Sequence, residues 1–129
     1  GAGLMVPVIR DAARLDLWQL AAEIARLAAA ARDGSATSGE LSGSTITVTS
    51  LGRLGGIAAT PLINHPEVAI IGPNRVVERP MAVDGDIRLR RIMNLSSSFD
   101  HRVVDGHDAA LFIAELRELL ECPAVLLAG

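Results

Sequence analysis

The sequence is poor in cysteine and in aromatic residues. Its one cysteine, Cys122, cannot form a disulfide within the chain, and no second cysteine stands at a spacing that would make a zinc site. Tyrosine is absent, and 2 phenylalanines and 1 tryptophan offer few rings on which nucleic-acid bases could stack. A reducing, cytoplasmic compartment is therefore expected, and nucleic acid is disfavoured as a partner.

Excess charge and long apolar runs are scarce as well. The chain has 12 Lys and Arg residues against 15 Asp and Glu residues, and its net charge of −3 is too small to steer it towards a phosphate polymer. No segment approaches the ~18 consecutive apolar residues that a membrane helix requires. We therefore expect neither a nucleic-acid partner nor a membrane partner.

Aliphatic residues are abundant. Of the 129 residues, 50% are hydrophobic, which predicts a folded chain with the length of a single domain. The apolar periodicity predicts two helices whose apolar faces are core. The first is 17–32, with Asp16 as its N-cap. The second begins after Gly106, takes Asp108 as its cap and ends at Pro123.

Several segments have the alternation or the short apolar runs that are typical of strands. Strands are predicted, in chain order, at residues 4–9, 44–50, 68–71, 75–82 and 87–95. In the second of these, Ile46 and Val48 are expected on one face and threonines on the other. Asp84-Gly85 predicts a hairpin turn. The order of strands and helices indicates an α/β fold with a mixed sheet.

Residues 96–106 concentrate ionisable groups that could do chemistry. His101 and Asp105 lie there between a strand and the start of a helix, where loops commonly carry catalytic groups. One interpretation is a charged, solvated turn. Val103 and Val104 favour the other, because valines are expected to bury and to draw His101 and Asp105 towards the core.

Residues 100–106, Asp-His-Arg-Val-Val-Asp-Gly, resemble the DHRxxDG signature of the dihydrolipoamide acyltransferases, the core components of 2-oxo acid dehydrogenase complexes. Residues 43–56 and 61–70 are similar to that family's GGTFTxSxxG and PIINxPExAI stretches, in the same order. The resemblance covers nearly the whole chain. It implies a two-layer, chloramphenicol-acetyltransferase-like α/β sandwich of which residues 1–129 are the C-terminal portion, without the lipoyl and peripheral-subunit-binding domains.

The resemblance also implies a reaction and its residues. Members of the family transfer an acyl group from protein-bound dihydrolipoamide to coenzyme A, which needs a base and a hydroxyl that stabilises an oxyanion. His101 matches the family's general base, and Thr49 stands where the family has a serine as oxyanion donor. Asp105 matches a residue that organises the loop. Ser50 becomes the donor if the register is shifted by one residue.

Assembly is implied in the same way. The family's catalytic unit is a homotrimer, larger cages are built from trimers, and the base and the oxyanion hydroxyl of one site belong to neighbouring subunits. The lipoyl group is carried on a separate domain, coenzyme A is a substrate, and decarboxylase and dihydrolipoamide dehydrogenase components join through other domains. The acyl group, whether acetyl, succinyl or branched-chain, stays open.

Two alternative functions are carried beside this one. A metal hydrolase would use His101, Asp105, His107 and Asp108 as ligands, although these residues have no known metal spacing. A non-catalytic core fragment of the same fold would assemble without turnover. Other singled-out residues are interpreted as loop, surface or packing residues: His65, His107, Cys122, Arg53 and Arg102.

Overall fold

A computed structural model describes residues 5–50 and 55–128 of the chain. The elements are short 3-10 helices at Ala12–Arg14 and Ser38–Glu40, helices α1 (Leu17–Asp33), α2 (Gly106–Glu121) and α3 (Ala124–Ala128), and strands β1 (Thr47–Val48), β2 (Ala69–Pro73), β3 (Val77–Val83), β4 (Asp86–Ile92) and β5 (Leu95–Phe99). The chain divides into two compact units: one takes in residues up to 44 and from 117 onward, the other residues 45–116. No helix in the described ranges is both long and apolar enough to cross a membrane.

Helix α1 begins and ends where its local signals place it. The Asp16 carboxylate accepts the Gln19 N–H at 2.8 Å, and the Gln19 side chain accepts the Asp16 N–H at 2.9 Å. This reciprocal pair satisfies donors that the first turn leaves open. Gly34 ends the helix with a φ of 81°, a conformation that is unfavourable for residues with a Cβ. The helix predicted at 17–32 is confirmed.

Ion pairs hold the second 3-10 helix against α1. The Arg26 guanidinium contacts the Glu23 carboxylate and lies 2.9 Å from an oxygen of Glu40. The hydrogen bond from Arg26 lowers the pKa of Glu23, while the Thr37 N–H, followed by Arg26, lowers the pKa of Glu40. Both carboxylates therefore stay charged and keep this contact at neutral pH.

The strand predicted at 4–9 is wrong. Residue 4 lies outside the described part of the chain, and the rest of the segment has no strand partner within that part. Pro7 has no N–H to donate to a ladder. The Val8 N–H donates instead to the Glu40 carbonyl oxygen at 2.8 Å. A loop contact, rather than a sheet, holds this segment.

The second unit contains a three-stranded sheet in the order β1-β2-β5. It is mixed, because β1 runs parallel and β5 antiparallel to β2. The central β2, predicted at 68–71, is buried over its first four residues. Helix α2 packs on β5 through Phe112, whose ring meets the Phe99 ring edge-on at a centroid distance of 6.2 Å. The predicted α/β fold, with a mixed sheet and packed helices, is confirmed.

Strands β3 and β4 form a separate hairpin. Asp84-Gly85 makes the turn as predicted, with φ angles of 51° and 83°. The strand predicted at 75–82 is confirmed as β3. On β4, Ile87 and Leu89 share one face and are 81% and 72% exposed. Within a single copy of the chain, this apolar face of the hairpin is therefore exposed.

Two further strand predictions need correction. The strand predicted at 87–95 is divided between β4 and β5, which belong to different sheets. The strand predicted at 44–50 shortens to two residues, and of its threonine face Thr47 is buried whereas Thr45 and Thr49 are exposed. Thr47 is 8% exposed, whereas Ile46 and Val48 are 43% and 68% exposed. The Thr47 hydroxyl contacts a buried carboxylate, that of Glu67.

The helices bury less of their apolar faces than predicted. In α1, whose residues are all described, only Leu27 is buried, at 2% exposure. In α2, which is also fully described, no residue is buried, and Phe112 is 44% exposed. An amphipathic pattern specifies which face can be covered, but the burial itself depends on what packs there. Helix α2 ends at Glu121, shortly before Pro123, as predicted.

Candidate functional site

The loop after β5 carries His101 at the point where the chain turns towards α2. Asp100 extends the antiparallel ladder by one step, because its N–H donates to the Val68 carbonyl oxygen at 2.8 Å. The N–H groups of Val103 and Val104 both donate to the Asp100 carbonyl oxygen, at 3.0 and 2.9 Å. His101 is exposed at the start of the tight turn that these bonds close.

The expectation that two valines draw this loop into the core is wrong. Val103 is 68% exposed, and the side chains of His101 and Asp105 are exposed too. The turn closes on Asp100 at the end of the sheet, beyond the last ladder pair, where no strand lies beside it in the described chain. The side chain of Val104 is half-buried, whereas those of His101, Val103 and Asp105 are exposed, which leaves the imidazole accessible to a substrate.

An ion pair stiffens the loop beside His101. The Nε and Nη2 of Arg102 donate to the two carboxylate oxygens of Asp100 at 3.0 and 2.7 Å, and the Arg102 N–H adds a third bond of 3.0 Å. The Arg102 hydrogen bonds hold the pKa of Asp100 at about 2, and His65 contributes a smaller electrostatic effect in the same direction. Because the Arg102 side chain is 82% exposed, the pair fixes geometry more than it adds stability.

Asp105 caps helix α2. Its Oδ1 accepts the Asp108 N–H at 2.8 Å, and its carbonyl oxygen accepts the Ala109 N–H at 3.1 Å. The predicted cap, Asp108, is wrong: it lies in the first turn, where its charge suits the positive end of the helix dipole. This capping contact supports the expectation that Asp105, four residues after His101, organises the loop.

Thr49 lies one residue beyond β1. Its N–H continues the parallel ladder by donating to the Ile71 carbonyl oxygen at 2.9 Å, which places Thr49 beside Gly72. A Cβ on Gly72 would lie 3.5 Å from the Thr49 carbonyl oxygen and 3.6 Å from its Cγ2, which are van der Waals distances, so Thr49 lies directly beside β2. Thr49 is exposed, and so is Ser50, which would be the oxyanion donor if the register were shifted by one residue. Arg53 lies outside the described residues.

Sheet register places Thr49 and His101 at opposite ends of the sheet. Thr49 is level with Gly72 on β2, whereas Asp100, the residue before His101, is bonded to Val68. The offset is four residues along the strands and two strand spacings across them. At ~3.3 Å per residue and ~4.8 Å per spacing, the Cα atoms of Thr49 and Asp100 are roughly 16 Å apart.

A buried polar cluster that the sequence motifs do not indicate underlies β1. The Thr47 hydroxyl lies 2.8 and 3.1 Å from the two carboxylate oxygens of Glu67, and the Asn64 side-chain N–H donates to Thr47 Oγ1 at 3.1 Å. Thr47 and Glu67 are each 8% exposed. The available signal was a glutamate directly before the buried run 68–71, since carboxylates are rarely buried without a partner.

The alternative of a metal site receives no support from the geometry. Across the described residues, no three side chains of His, Cys, Asp or Glu form a group that could hold a metal ion. The Asp105 carboxylate, one of the four suggested ligands, is bonded to the start of α2. The interpretation of Cys122 as a packing residue is wrong: its thiol forms no disulfide and is exposed, because Cys122 follows the end of α2 at the surface.

The model of the family described as 2-oxoacid dehydrogenases acyltransferase (catalytic domain) matches residues 1–128. Among curated proteins, the lipoamide acyltransferase component of the branched-chain alpha-keto acid dehydrogenase complex of Pseudomonas aeruginosa is 68% identical over 124 residues, which are 96% of this chain and 29% of that protein. The dihydrolipoyllysine-residue acetyltransferase component of the pyruvate dehydrogenase complex of Staphylococcus aureus is 43% identical over 125 residues, which are 97% of this chain and 29% of that protein.

Solved structures are similar over the same span. Dihydrolipoamide acetyltransferase of Azotobacter vinelandii, studied for the roles of a serine, a histidine and an asparagine in its catalytic mechanism, has a TM-score of 0.90 at 42% identity. The cubic core of a pyruvate dehydrogenase multienzyme complex has a TM-score of 0.90 at 43% identity. Each match covers 97% of this chain and 51% of the other. The chain thus spans about half of these structures and 29% of the curated relatives.

Proposed function

Because this chain belongs to the family of 2-oxoacid dehydrogenase acyltransferase catalytic domains, we propose that it carries catalytic residues of a dihydrolipoamide acyltransferase. The observation that carries the proposal is a match of spacing. Thr49, His101 and Asp105 follow one another at the same separations as the serine, histidine and asparagine of the Azotobacter vinelandii enzyme. Thr49 keeps the hydroxyl of that serine, and Asp105 keeps the side-chain oxygen of that asparagine.

In the proposed reaction, His101 is the general base. Its neutral imidazole accepts the thiol proton of coenzyme A, and the thiolate attacks the carbonyl carbon of the acyl-dihydrolipoamide thioester. The resulting oxyanion accepts a hydrogen bond from the Thr49 hydroxyl. When the carbon–sulfur bond to dihydrolipoamide breaks, the departing sulfur takes the proton back from the imidazolium. Asp105 holds the start of α2 and thereby the far side of the His101 loop.

We propose that each site lies between two copies of the chain, in a homotrimer and in larger cages built from it. The separation of Thr49 and Asp100, roughly 16 Å across the sheet, supports this, since the thiol that His101 deprotonates must attack the carbonyl group whose oxyanion Thr49 stabilises. Exposed apolar side chains support it further, because surfaces of this kind are usually covered by partners: Leu62 at 84%, Ile87 at 81% and Leu89 at 72%. One similar structure is itself the cubic core of a multienzyme complex.

Residues 1–129 form, in this proposal, the C-terminal portion of the catalytic domain. The lipoyl group then belongs to a separate domain, coenzyme A is the second substrate, and decarboxylase and dihydrolipoamide dehydrogenase components are the further partners. The order of the three motif segments supports this placement. We place the protein in the cytoplasm, which the free thiol of Cys122 supports.

A branched-chain acyl group is the proposed substrate class. The relatives named for the branched-chain complex are 68% and 66% identical to this chain, whereas those named for succinyl and acetyl transfer are 43% identical. Differences in acyl preference arise from the residues that line the acyl pocket, and closer relatives share more of them. The acyl-coenzyme A products formed from branched-chain, acetyl and succinyl donors in parallel assays test this choice.

The experiment that tests the function replaces His101 in the complete natural polypeptide. We expect His101→Ala to lower the transfer rate by roughly 10²–10⁴-fold, the usual contribution of a positioned base, without unfolding the protein. His107→Ala is the matched control, since His107 is exposed in the first turn of α2 and should retain wild-type activity.

The measurement is acyl transfer to coenzyme A, with circular dichroism as the check on folding. Activity of His101→Ala within a few-fold of wild type would remove the base assignment. A wild-type polypeptide that assembles but transfers no acyl group would favour the alternative of a non-catalytic assembly module.

A further inference from the structure

We infer that Glu67, acting through Thr47, is a positioning residue that fixes the register of β1 and thereby selects Thr49, rather than Ser50, as the hydroxyl presented at the end of this strand. The inference rests on the proposed function for its catalytic consequence. Its structural part, the fixing of β1, stands on the contacts of Thr47 alone.

Strand β1 has little else to hold it. Two residues, Thr47 and Val48, pair with β2, and the Thr49 N–H adds one more ladder bond. A ladder this short specifies its register weakly, because shifting the chain by one residue exchanges few hydrogen bonds. The side chains must therefore decide which of the two faces turns inwards.

Apolar burial by itself favours the wrong register. In the observed arrangement Ile46 and Val48 are 43% and 68% exposed while Thr47 is buried. A shift of one residue would turn these two aliphatic side chains inwards. It would also move Ser50 onto the face that now carries Thr49, because side chains alternate along a strand.

The Glu67 carboxylate opposes that shift. It is 8% exposed, has no ion pair among the described residues, and receives its hydrogen bond from the Thr47 hydroxyl. Losing this donor would leave buried carboxylate oxygens without their hydrogen bond, which costs more than burying the exposed parts of two aliphatic side chains gains. Asn64 completes the arrangement: its side chain donates to Thr47 Oγ1, which leaves the hydroxyl proton for Glu67.

The loop that supplies these groups is itself anchored. The Glu67 N–H donates to the Asn64 carbonyl oxygen at 2.8 Å, and Glu67 leads directly into the buried strand β2. The carboxylate therefore has a fixed position relative to β2. Because Thr47 and Thr49 lie on the same side of β1, fixing the first fixes the direction of the second.

The test compares Thr47→Val, which removes the hydroxyl at nearly constant shape, with Thr47→Ser, which keeps it. In the complete natural polypeptide we expect Thr47→Val to lower kcat by about 10- to 100-fold, the effect of displacing a catalytic group by about 1 Å, and to change KM by less than about 3-fold. Thr47→Ser is expected to stay within about 3-fold of wild type in both constants.

The same pair of variants in a Thr49→Ala background separates positioning from general loosening of the fold. With no Thr49 hydroxyl left to position, Thr47→Val should lower the remaining kcat by less than about 2-fold. An equal loss in both backgrounds would show that Thr47 does not act through Thr49 and would overturn the inference. If Thr47→Val does not fold, Thr47→Ala replaces it in the same comparison, because it also removes the hydroxyl that binds Glu67.

A measurement without turnover keeps the inference separate from the proposed function. Hydrogen exchange of the Thr49 amide, which bonds to Ile71, should accelerate at least 10-fold in Thr47→Val, since the exchange rate reports local opening. The Asp100 amide, bonded to Val68 at the other end of the sheet, is the internal control and should change less than about 2-fold. Unchanged exchange at Thr49 refutes the positioning role even in a polypeptide that transfers no acyl group.

Discussion

Two inactive variants that are assembled together should regain activity if each active site contains residues from two copies of the chain. The first variant, His101→Ala, lacks the base but keeps the oxyanion hydroxyl. The second, Thr49→Ala, keeps the base but lacks the hydroxyl. Within one copy the sheet register separates Thr49 from Asp100, the neighbour of His101, by roughly 16 Å. Each interface between unlike variants can therefore combine an intact His101 from one copy with an intact Thr49 from the next.

The size of the rescue follows from random mixing. In a closed ring assembled from equal amounts of the two variants, each interface has a chance of about one quarter of receiving the intact base on one side and the intact hydroxyl on the other. The mixed assembly should thus show about one quarter of the wild-type rate of transfer to coenzyme A. Assemblies of either variant alone should show only the background rate.

The assay requires proof that the assemblies are mixed. The two variants are unfolded and refolded together, and native mass spectrometry of differently tagged chains verifies that single oligomers contain both. A simple combination of the two separately assembled variants is the control and should stay inactive. Verified mixed oligomers that remain as inactive as either parent would place base and hydroxyl within one copy and refute the shared site.

Three further perturbations have defined outcomes. Thr49→Ala alone should lower the transfer rate by about 10²–10³-fold, measured as kcat, whereas Thr49→Ser should lower it by less than about 10-fold because a hydroxyl remains. An NMR titration should find the pKa of Asp100 at about 2, and Arg102→Gln should move it towards 3.8. Because folding lowers this pKa, the Asp100–Arg102 contact stabilises the fold fully above pH 3.8, and its contribution is lost as the pH falls through about 2. Leu27→Ala should reduce the free energy of unfolding in urea by about 2–5 kcal/mol, while Ile24→Ala on the same helix should cost under about 1 kcal/mol, since these side chains are 2% and 56% exposed.

The parts of the fold with local causes could be predicted from the sequence. Helix α1 is bounded by a capping pair three residues apart and by one glycine, so all the groups that define its ends are close in the chain. The hairpin turn is determined by Asp84-Gly85, which adopt positive φ angles at little cost. The residues of the candidate site could also be identified from the sequence, because Thr49 and His101 each lie in one short motif.

Tertiary structure decided what depends on groups far apart in the chain. Thr47 is buried while Ile46 and Val48 are exposed, and the carboxylate that its hydroxyl contacts, that of Glu67, lies 20 residues away in the chain. The strand predicted at 87–95 ends at Ile92 and a new strand begins at Leu95, because the two segments pair with different partners, β3 and β2.

The relation of the two candidate catalytic residues belongs to the tertiary structure as well. The sequence by itself supplies a histidine on a loop and a threonine at a strand end, and both identities can be read from it. Their placement at opposite ends of the sheet follows from a parallel pairing of β1 with β2 and an antiparallel pairing of β5 with β2. Strand direction and register are properties of pairs of segments, fixed by hydrogen bonds between them, and no single segment contains that information.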